Sequence, residues 1–455
     1  MGSSVRDLAA ATPASRDKYI DLLRVASLGT VVLGHWLMAA VTVGGDGKVE
    51  VGNLLAVRPG LQLLTWVLQI MPVFFFVGGF SHALSYRSLR KKAGGTSVYS
   101  AFLRARLQRL LRPTVVFVGV WGAAAVLLEL GGGGGGLIDV SLRLVAQPLW
   151  FIGIYLAMVA FTPPLLRLHE RYGWGAFGGL VAGAGCVDVL RFVVGVSYVE
   201  FLNFAFVWLA VHQLGFLRAD GKLRMPGVMA GCGVAGAVLL VAYGPYPLSM
   251  VGMPGEKISN MAPPSFALLC HGVWLVGAVE LLRGPATRWL RRPRVWRAVV
   301  VAGGVSMTAF LWHLTAMLGV YGALLALDVP LPEPGSGGWW AQVPVRVVVA
   351  AALTGVLVGA FRGFERPGAG GESRVPSGGA GAVAALGVTL CLFGVLGLST
   401  VGFGGILEGR SAMLVAVRVT APVAVAMTLV GWLLVERAGR GRRVVAGERE
   451  RAHSA

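Results

Sequence analysis

Charge is what this chain of 455 residues lacks. Only 13% are Asp, Glu, Lys or Arg, and the acidic ones are scarcer, 21 against 40 basic. With 56% hydrophobic residues and a mean hydropathy of +0.72, the chain carries more apolar surface than a soluble fold buries. Cysteine is nearly absent: Cys186, Cys232, Cys270 and Cys391 fall in separate apolar stretches without CxxC spacing. That pattern points to small buried hydrophobes rather than to metal or redox chemistry. The chain has no Walker loop, HExxH, GxSxG or zinc spacing. Phosphate-loop, metalloprotease and serine-hydrolase chemistry are therefore set aside, and no metal is expected. The N-terminal stretch MGSSVRDLAAATPASRDK has no apolar region ahead of a small-residue cleavage site, so no cleaved signal peptide is expected. Arg6 stands where N-myristoylation signals usually carry Ser or Thr.

What the chain has in excess is positive charge, +19 net with a pI near 10.7. The basic residues sit between apolar runs, the pattern of loops facing anionic headgroups and anionic cytosolic ligands, so nucleic acid is not expected as a partner. Runs of about 20 apolar residues, enough to cross a bilayer, occur at approximately 20–43, 61–86, 113–130, 149–166, 174–196, 201–217, 227–244, 264–282, 298–324, 343–361, 380–402 and 412–435. With the N-terminus in the cytoplasm, 32 of the 40 Lys and Arg residues fall on the cytoplasmic side. Lys48, Arg58, Arg143, Lys257 and Arg410 fall outside, and Arg191, Arg346 and Arg418 fall within spans. This is the asymmetry that sets orientation in polytopic proteins. The expectation is an all-α, multi-pass helix bundle of the cell membrane with twelve spans and both termini cytoplasmic.

Glycine and proline divide it. GGGGGG at 131–136 is a connector without side-chain chemistry, and a Gly/Pro/Ser-rich stretch follows Glu365. The expected division is a polar N-terminus 1–18, a ten-span membrane domain 19–366, a linker 367–379, a two-helix segment 380–436 and a basic tail 437–455.

Ionisable groups inside a membrane are costly and mark function. RVASLGTVVLGH places Arg24 and His35 eleven residues apart, on one helix face roughly 16 Å apart along the axis. A neutral imidazole in mid-membrane can take a proton from a hydroxyl; a histidine bonded between packed helices is the structural alternative. Asp21, one turn before Arg24, is its natural partner. In YRSLRKKAGGTSVYSAFLRARLQRLLRPT, Arg104, Arg106, Arg109 and Arg112 alternate with apolar residues. They are expected on an amphipathic helix at the cytoplasmic surface, either anchoring lipid headgroups or clamping a phosphate-bearing ligand. His313 lies near the middle of the ninth span with Ser306 two turns before it, and Ser259 and Asn260 precede the eighth span. Asp188 and Arg191 are expected to pair, and Glu280, Arg346 and Arg418 to make helix-end or interhelix contacts. His82, His169, His212 and His271 sit near helix ends without an assigned role.

Several of these segments together resemble the membrane-bound acyltransferase-3 family, in an actinobacterial-type form. YIDLLRVASLGTVVLGHW resembles its first-helix R-x10-H motif, MPVFFFVGGF its second-helix PxFFxxSGF segment, and RLQRLLRPT its Arg-rich stretch ending in proline. PLWFIGIYL, with Trp150, is similar to its LWF segment, and FLWHL to its late YLxH segment. Gly78 replaces a usual serine, Pro148 a common histidine, and Leu314 a frequent proline. The resemblance implies transfer of an acyl group, often acetyl, from cytosolic acyl-CoA to a hydroxyl of a carbohydrate, glycolipid or natural-product acceptor. Arg24 with Arg104, Arg106, Arg109 and Arg112 would then hold the coenzyme, and His35 would act as general base or carry the acyl group. Asp21, Trp150, Ser259, Asn260, Ser306 and His313 would support the substrates. Membrane lipid is the remaining partner. Two other readings stand beside this one, a twelve-span secondary transporter and an inactive membrane scaffold.

Overall fold

The computed structural model describes residues 12–13, 16–44, 49–92, 98–133, 136–253, 256–365 and 380–438. The Gly/Pro/Ser-rich linker, most of the polar N-terminus and the basic tail beyond Ala438 lie outside these residues.

Asp17 starts the first helix: its carboxylate accepts from the N–H groups of Tyr19 and Ile20, donors that have no partner inside the helix. Helix α1 runs Lys18–Met38. The apolar run expected to continue to residue 43 turns instead into β1 (Ala39–Val43), antiparallel to β2 (Val49–Asn53), with Ala39 opposite Asn53. The β-branched Val41, Thr42 and Val43 favour that change, which hydropathy alone does not register.

The longer helices that follow are α2 (Met71–Lys92), α3 (Val98–Leu130), α4 (Gly136–Leu144), α5 (Pro148–Tyr172) and α6 (Trp174–Val189). Next come α7 (Asn203–Ala219), α8 (Pro226–Tyr243), α9 (Phe266–Leu281), α10 (Arg283–Leu290) and α11 (Pro293–Gly303). The chain continues through α12 (Ser306–Ala326), α13 (Gly337–Phe361) and α14 (Ala380–Val401). A hairpin of β3 (Ser411–Leu414) and β4 (Val417–Thr420) precedes α15 (Ala421–Ala438). Among the described residues, eleven helical segments are long and apolar enough to cross a membrane, and the α9–α10 pair, bent by 50°, supplies a twelfth. The protein is an all-α polytopic bundle.

Four details differ from the sequence reading. The run 298–324 breaks at Gly303–Gly304, so α11 and α12 are separate helices. The run 412–435 begins with the β3–β4 hairpin, which puts Arg418 on an exposed strand rather than inside a span. The basic segment is not a separate surface helix: it continues into the third span as the 33-residue α3, about 50 Å long. Pro113 lies inside α3, where Thr114 Oγ1 donates to the Leu110 carbonyl at 2.7 Å. Finally, Cys186 and Cys232 are exposed on the helix surfaces; Cys391 is the fully buried cysteine.

The chain forms two compact units. The first comprises Met1–Ala83, Gly135–Val145 and Pro164–Arg362. Its centre is α7, buried at every residue from Val207 to Arg218, the polar His212, Gln213 and Arg218 included. The stretch Met71–Gly79 of α2 is buried just as completely. Glycine permits their approach: a Cβ on Gly79 would collide with the His212 carbonyl, and one on Gly215 with the Phe76 carbonyl and the Phe80 N–H. The buried Asp188 does not pair with Arg191. Its carboxylate accepts from Asn203 Nδ2 (2.8 Å), the Tyr246 hydroxyl (2.9 Å) and the Phe266 N–H (2.7 Å), tying α6, α7 and the start of α9. Arg191 lies over the Phe192 ring at 4.7 Å instead.

The second unit comprises Leu84–Gly134, Ala146–Pro163 and the chain from Gly363. There α14 and α15 pack antiparallel, with Gly387 against Gly431 and Gly394 against Thr428. Glu129 of α3 accepts from the N–H groups of Ile406 and Leu407, each at 2.8 Å, and Glu436 of α15 accepts from Gln108 of α3 at 3.3 Å.

Overpacking a close helix contact costs about 1–3 kcal/mol or more. Gly215→Val is therefore expected to lower the midpoint of thermal unfolding in detergent. Gly322→Ala, whose added Cβ meets nothing within 4 Å, is expected to leave it in place; fluorescence-detected size exclusion after heating separates the two.

Candidate active site

The first unit brings α1 and α12 side by side, running in the same direction. Gly303, just before α12, lies against Val25; His35 bonds His313; and the Tyr321 hydroxyl donates to the Ala39 carbonyl at 3.0 Å. Paired positions rise together along both helices. The Trp36 indole N–H donates to the His313 carbonyl at 3.0 Å and locks this register.

His35 and His313 form a dyad. His35 Nδ1 lies 2.7 Å from His313 Nε2, and the rings are within 10° of parallel. On its other side, His313 Nδ1 lies 2.5 Å from the Phe310 carbonyl. A carbonyl only accepts, so His313 Nδ1 carries a hydrogen and donates. In the neutral dyad, His313 Nε2 then accepts from His35 Nδ1, and His35 Nε2 keeps its lone pair. His313 is fully buried and His35 partly exposed. The geometry gives His313 to His35 as a partner. His35 occupies the last turn of α1, beyond the middle of the helix.

Arg24 lies on the same face of α1, three turns earlier. Its Nη2 donates to Ser81 Oγ of α2 at 3.0 Å, and its Nη1 reaches Asp21 at 3.4 Å. Asp21 is held more closely by Arg16, at 2.6 and 3.0 Å. The hydrogen bond to Asp21 pushes the Arg16 guanidinium above its ordinary pKa despite partial burial. Arg24 thus shares its carboxylate, and its side chain remains 36% exposed. Ser81 was not legible as its partner, because the two are 57 positions apart.

A second network was legible in the sequence only through Glu280, not through its partners. Arg218 of α7 donates to Glu280 of α9 at 2.9 Å and to Asp17 at the start of α1 at 3.0 Å. Close by, the Tyr19 hydroxyl donates to the Val279 carbonyl. The two carboxylates and one guanidinium tie three helices near the beginning of α1. Glu280 is therefore an interhelix contact, as expected.

The remaining candidates divide clearly. Asn260 is fully buried, donates to the carbonyls of Pro247 (2.7 Å) and Ser249 (2.9 Å), and accepts from Ser265 (2.6 Å). Ser259 Oγ accepts from the N–H groups of Met261 and Ala262 at 3.1 and 3.2 Å. These bonds shape the loop ahead of α9. Ser306 opens α12 and bonds the Gly303 carbonyl at 3.4 Å, two turns from His313. Arg104, Arg106, Arg109, Arg112 and Trp150 belong to the second unit. Arg109 is exposed, Arg104 and Arg106 are half-buried, and Arg112 is engaged by Glu436 at 3.5 Å. Trp150 packs edge-on to Phe151.

Comparison with known proteins bears on the whole of this. No curated protein and no solved structure matches the chain. A family model described as an acyltransferase domain matches residues 17–361, about three-quarters of the chain, and takes in Arg24, His35, Arg104–Arg112, Trp150 and His313. A multi-pass helix bundle with that match belongs to the acyltransferase-3 family and is a membrane acyltransferase.

Proposed function

We propose that the protein is an O-acyltransferase of the cell membrane. It moves an acyl group, acetyl in the simplest case, from cytosolic acyl-CoA to a hydroxyl of a carbohydrate, glycolipid or other small acceptor. The observation that carries this reading is the relay Phe310 carbonyl–His313–His35, which leaves the lone pair of His35 Nε2 available as a base.

The chemistry follows from that atom. His35 Nε2 takes the proton of the acceptor hydroxyl as its oxygen attacks the thioester carbonyl. A C–O bond forms, the C–S bond breaks, and the coenzyme leaves as thiolate, which receives the proton from His35. His313 stabilises the imidazolium by accepting from its Nδ1–H and fixes the ring orientation, the part a carboxylate plays in a hydrolase triad. Arg24, with its partly exposed side chain, suits a phosphate of the donor. The face of α1 from Arg24 to His35, roughly 16 Å, then accommodates the extended thiol-bearing arm. Arg104, Arg106 and Arg109 on the second unit have the same chemistry toward phosphate. With the N-terminus cytoplasmic, the Arg24 end of α1 meets the cytosolic donor.

The test uses full-length protein in liposomes with radiolabelled acetyl-CoA, following thiol release and label transfer to membrane extract. His35→Ala is expected to lower turnover by about 10²–10⁴ while retaining coenzyme binding. Arg24→Ala is expected to raise the KM for acetyl-CoA more than it lowers kcat. A wild-type protein that neither binds nor consumes acyl-CoA sinks the proposal and turns attention to transport.

His313 has its own expected signature. His313→Ala is expected to cost roughly 10²-fold in kcat, the scale of a misplaced catalytic group. His313→Gln, whose amide oxygen can accept the His35 Nδ1–H, is expected to recover part of that loss. In ¹⁵N-histidine-labelled protein, His35 is expected to show a protonated Nδ1 and an unprotonated Nε2.

A further inference from the structure

Arg346 sits inside α13, nine residues from its start, about 14 Å along the axis. That places a permanent cation within a membrane span. Its hydrogen bonds go only to neutral oxygens: Nη1 donates to the Tyr321 hydroxyl at 2.8 Å and Nη2 to the Trp339 carbonyl at 2.9 Å. The guanidinium also lies against the Trp339 ring at 4.6 Å. Among the described residues no carboxylate comes within 4 Å of it, and its Nε is buried without a hydrogen-bond partner. Arg346 is half-buried, whereas Arg218, buried on α7, has two carboxylates. An unneutralised charge in low dielectric is costly, and rings and carbonyls offset only part of that cost.

A cavity lies beside it between α1, α12 and α13, lined by Trp36, Met317, Tyr321, Arg346, Val347 and Ala350. Its volume of 10 Å³ is room for one water-sized group. That is room for a single oxygen of a carboxylate or phosphate. The cavity adjoins the dyad: Trp36 follows His35 in the chain, and Met317 and Tyr321 are one and two turns beyond His313, roughly 6 and 12 Å along α12. Tyr321 is held in place, donating to Ala39 while accepting from Arg346.

We propose that the Arg346 cleft is the acceptor's anion site: it takes a carboxylate or phosphate on a molecule whose reacting hydroxyl lies at His35, roughly 6–12 Å away. The inference rests on the acyltransferase reading of His35 and adds the substrate class, an anionic hydroxyl compound. A guanidinium fork suits such oxygens.

The test pairs two amphiphilic sugars that differ only in charge, octyl β-D-glucuronide and octyl β-D-glucoside. Both are offered to the full-length protein in phosphatidylcholine nanodiscs, with binding followed by tryptophan fluorescence and acetyl transfer by label. Wild type is expected to bind the glucuronide about tenfold or more tightly than the glucoside. Arg346→Gln is expected to bring that ratio close to one. Arg346→Lys, which keeps the charge without the fork, is expected to keep part of the preference. Equal binding in wild type, or a preference that survives Arg346→Gln, overturns the anion site. Displacement of the glucuronide by phosphatidylglycerol added to the disc assigns the cleft to a lipid headgroup and overturns its assignment to the acceptor. His35→Gln separates this proposal from the reading it rests on: binding preference is expected to persist in that variant while transfer stops. A preference that holds while wild type neither binds nor consumes acetyl-CoA supports the anion site and overturns the acyltransferase reading it rests on.

Discussion

Two imidazoles on different helices bond at 2.7 Å only if those helices keep their register to a fraction of an ångström. Much of the first unit serves that requirement. The Trp36 indole reaches the His313 carbonyl, and Tyr321 reaches Ala39. Below them Arg218 draws the start of α1 to α7 and α9 through Asp17 and Glu280. In a low-dielectric interior each bond is stronger and each unmade one more costly. The same physics that holds the bundle together therefore orients the His35 ring.

Exact accounting of polar groups separates structure from function in such an environment. Asp188 satisfies its carboxylate with three donors, Asn260 uses both ends of its amide inside its loop, and Arg218 has two acids. These groups are consumed by the fold. His35 Nε2 and the charge of Arg346 are not. One is a lone pair on a ring nitrogen, the other a cation without a carboxylate, and both adjoin the contact of α1 with α12. The acceptor proposed above, with a hydroxyl and an anionic group, is chosen to complement both.

Much of the bundle is legible in the linear chain because the bilayer imposes a length and a polarity on every crossing. Among the described residues, the eleven spanning segments and the bent α9–α10 pair all overlap apolar runs. The misjudged boundaries share one cause: hydropathy does not distinguish a helix from a β-branched strand or notice a glycine break. Thus Ala39–Val43 and Val417–Thr420 are strands, and Gly303–Gly304 parts α11 from α12. Arg418 accordingly leaves the membrane interior, while Arg346 stays within it.

The sequence by itself determined that this is a multi-pass helical protein, that it belongs to an acyltransferase family, and that Arg24 and His35 share one face. The first follows from composition, the second from the resemblance of several segments and the family match over residues 17–361, and the third from spacing along a single helix. Only the tertiary structure decided which groups meet across helices: His35 with His313, Arg24 with Ser81, Asp188 with Tyr246 and Asn203 rather than with Arg191. Helical periodicity fixes neighbours three and four positions apart. Partners separated by 278 or 57 positions, as here, are chosen by how the helices pack, and in this chain that packing runs through the close approaches that glycine allows.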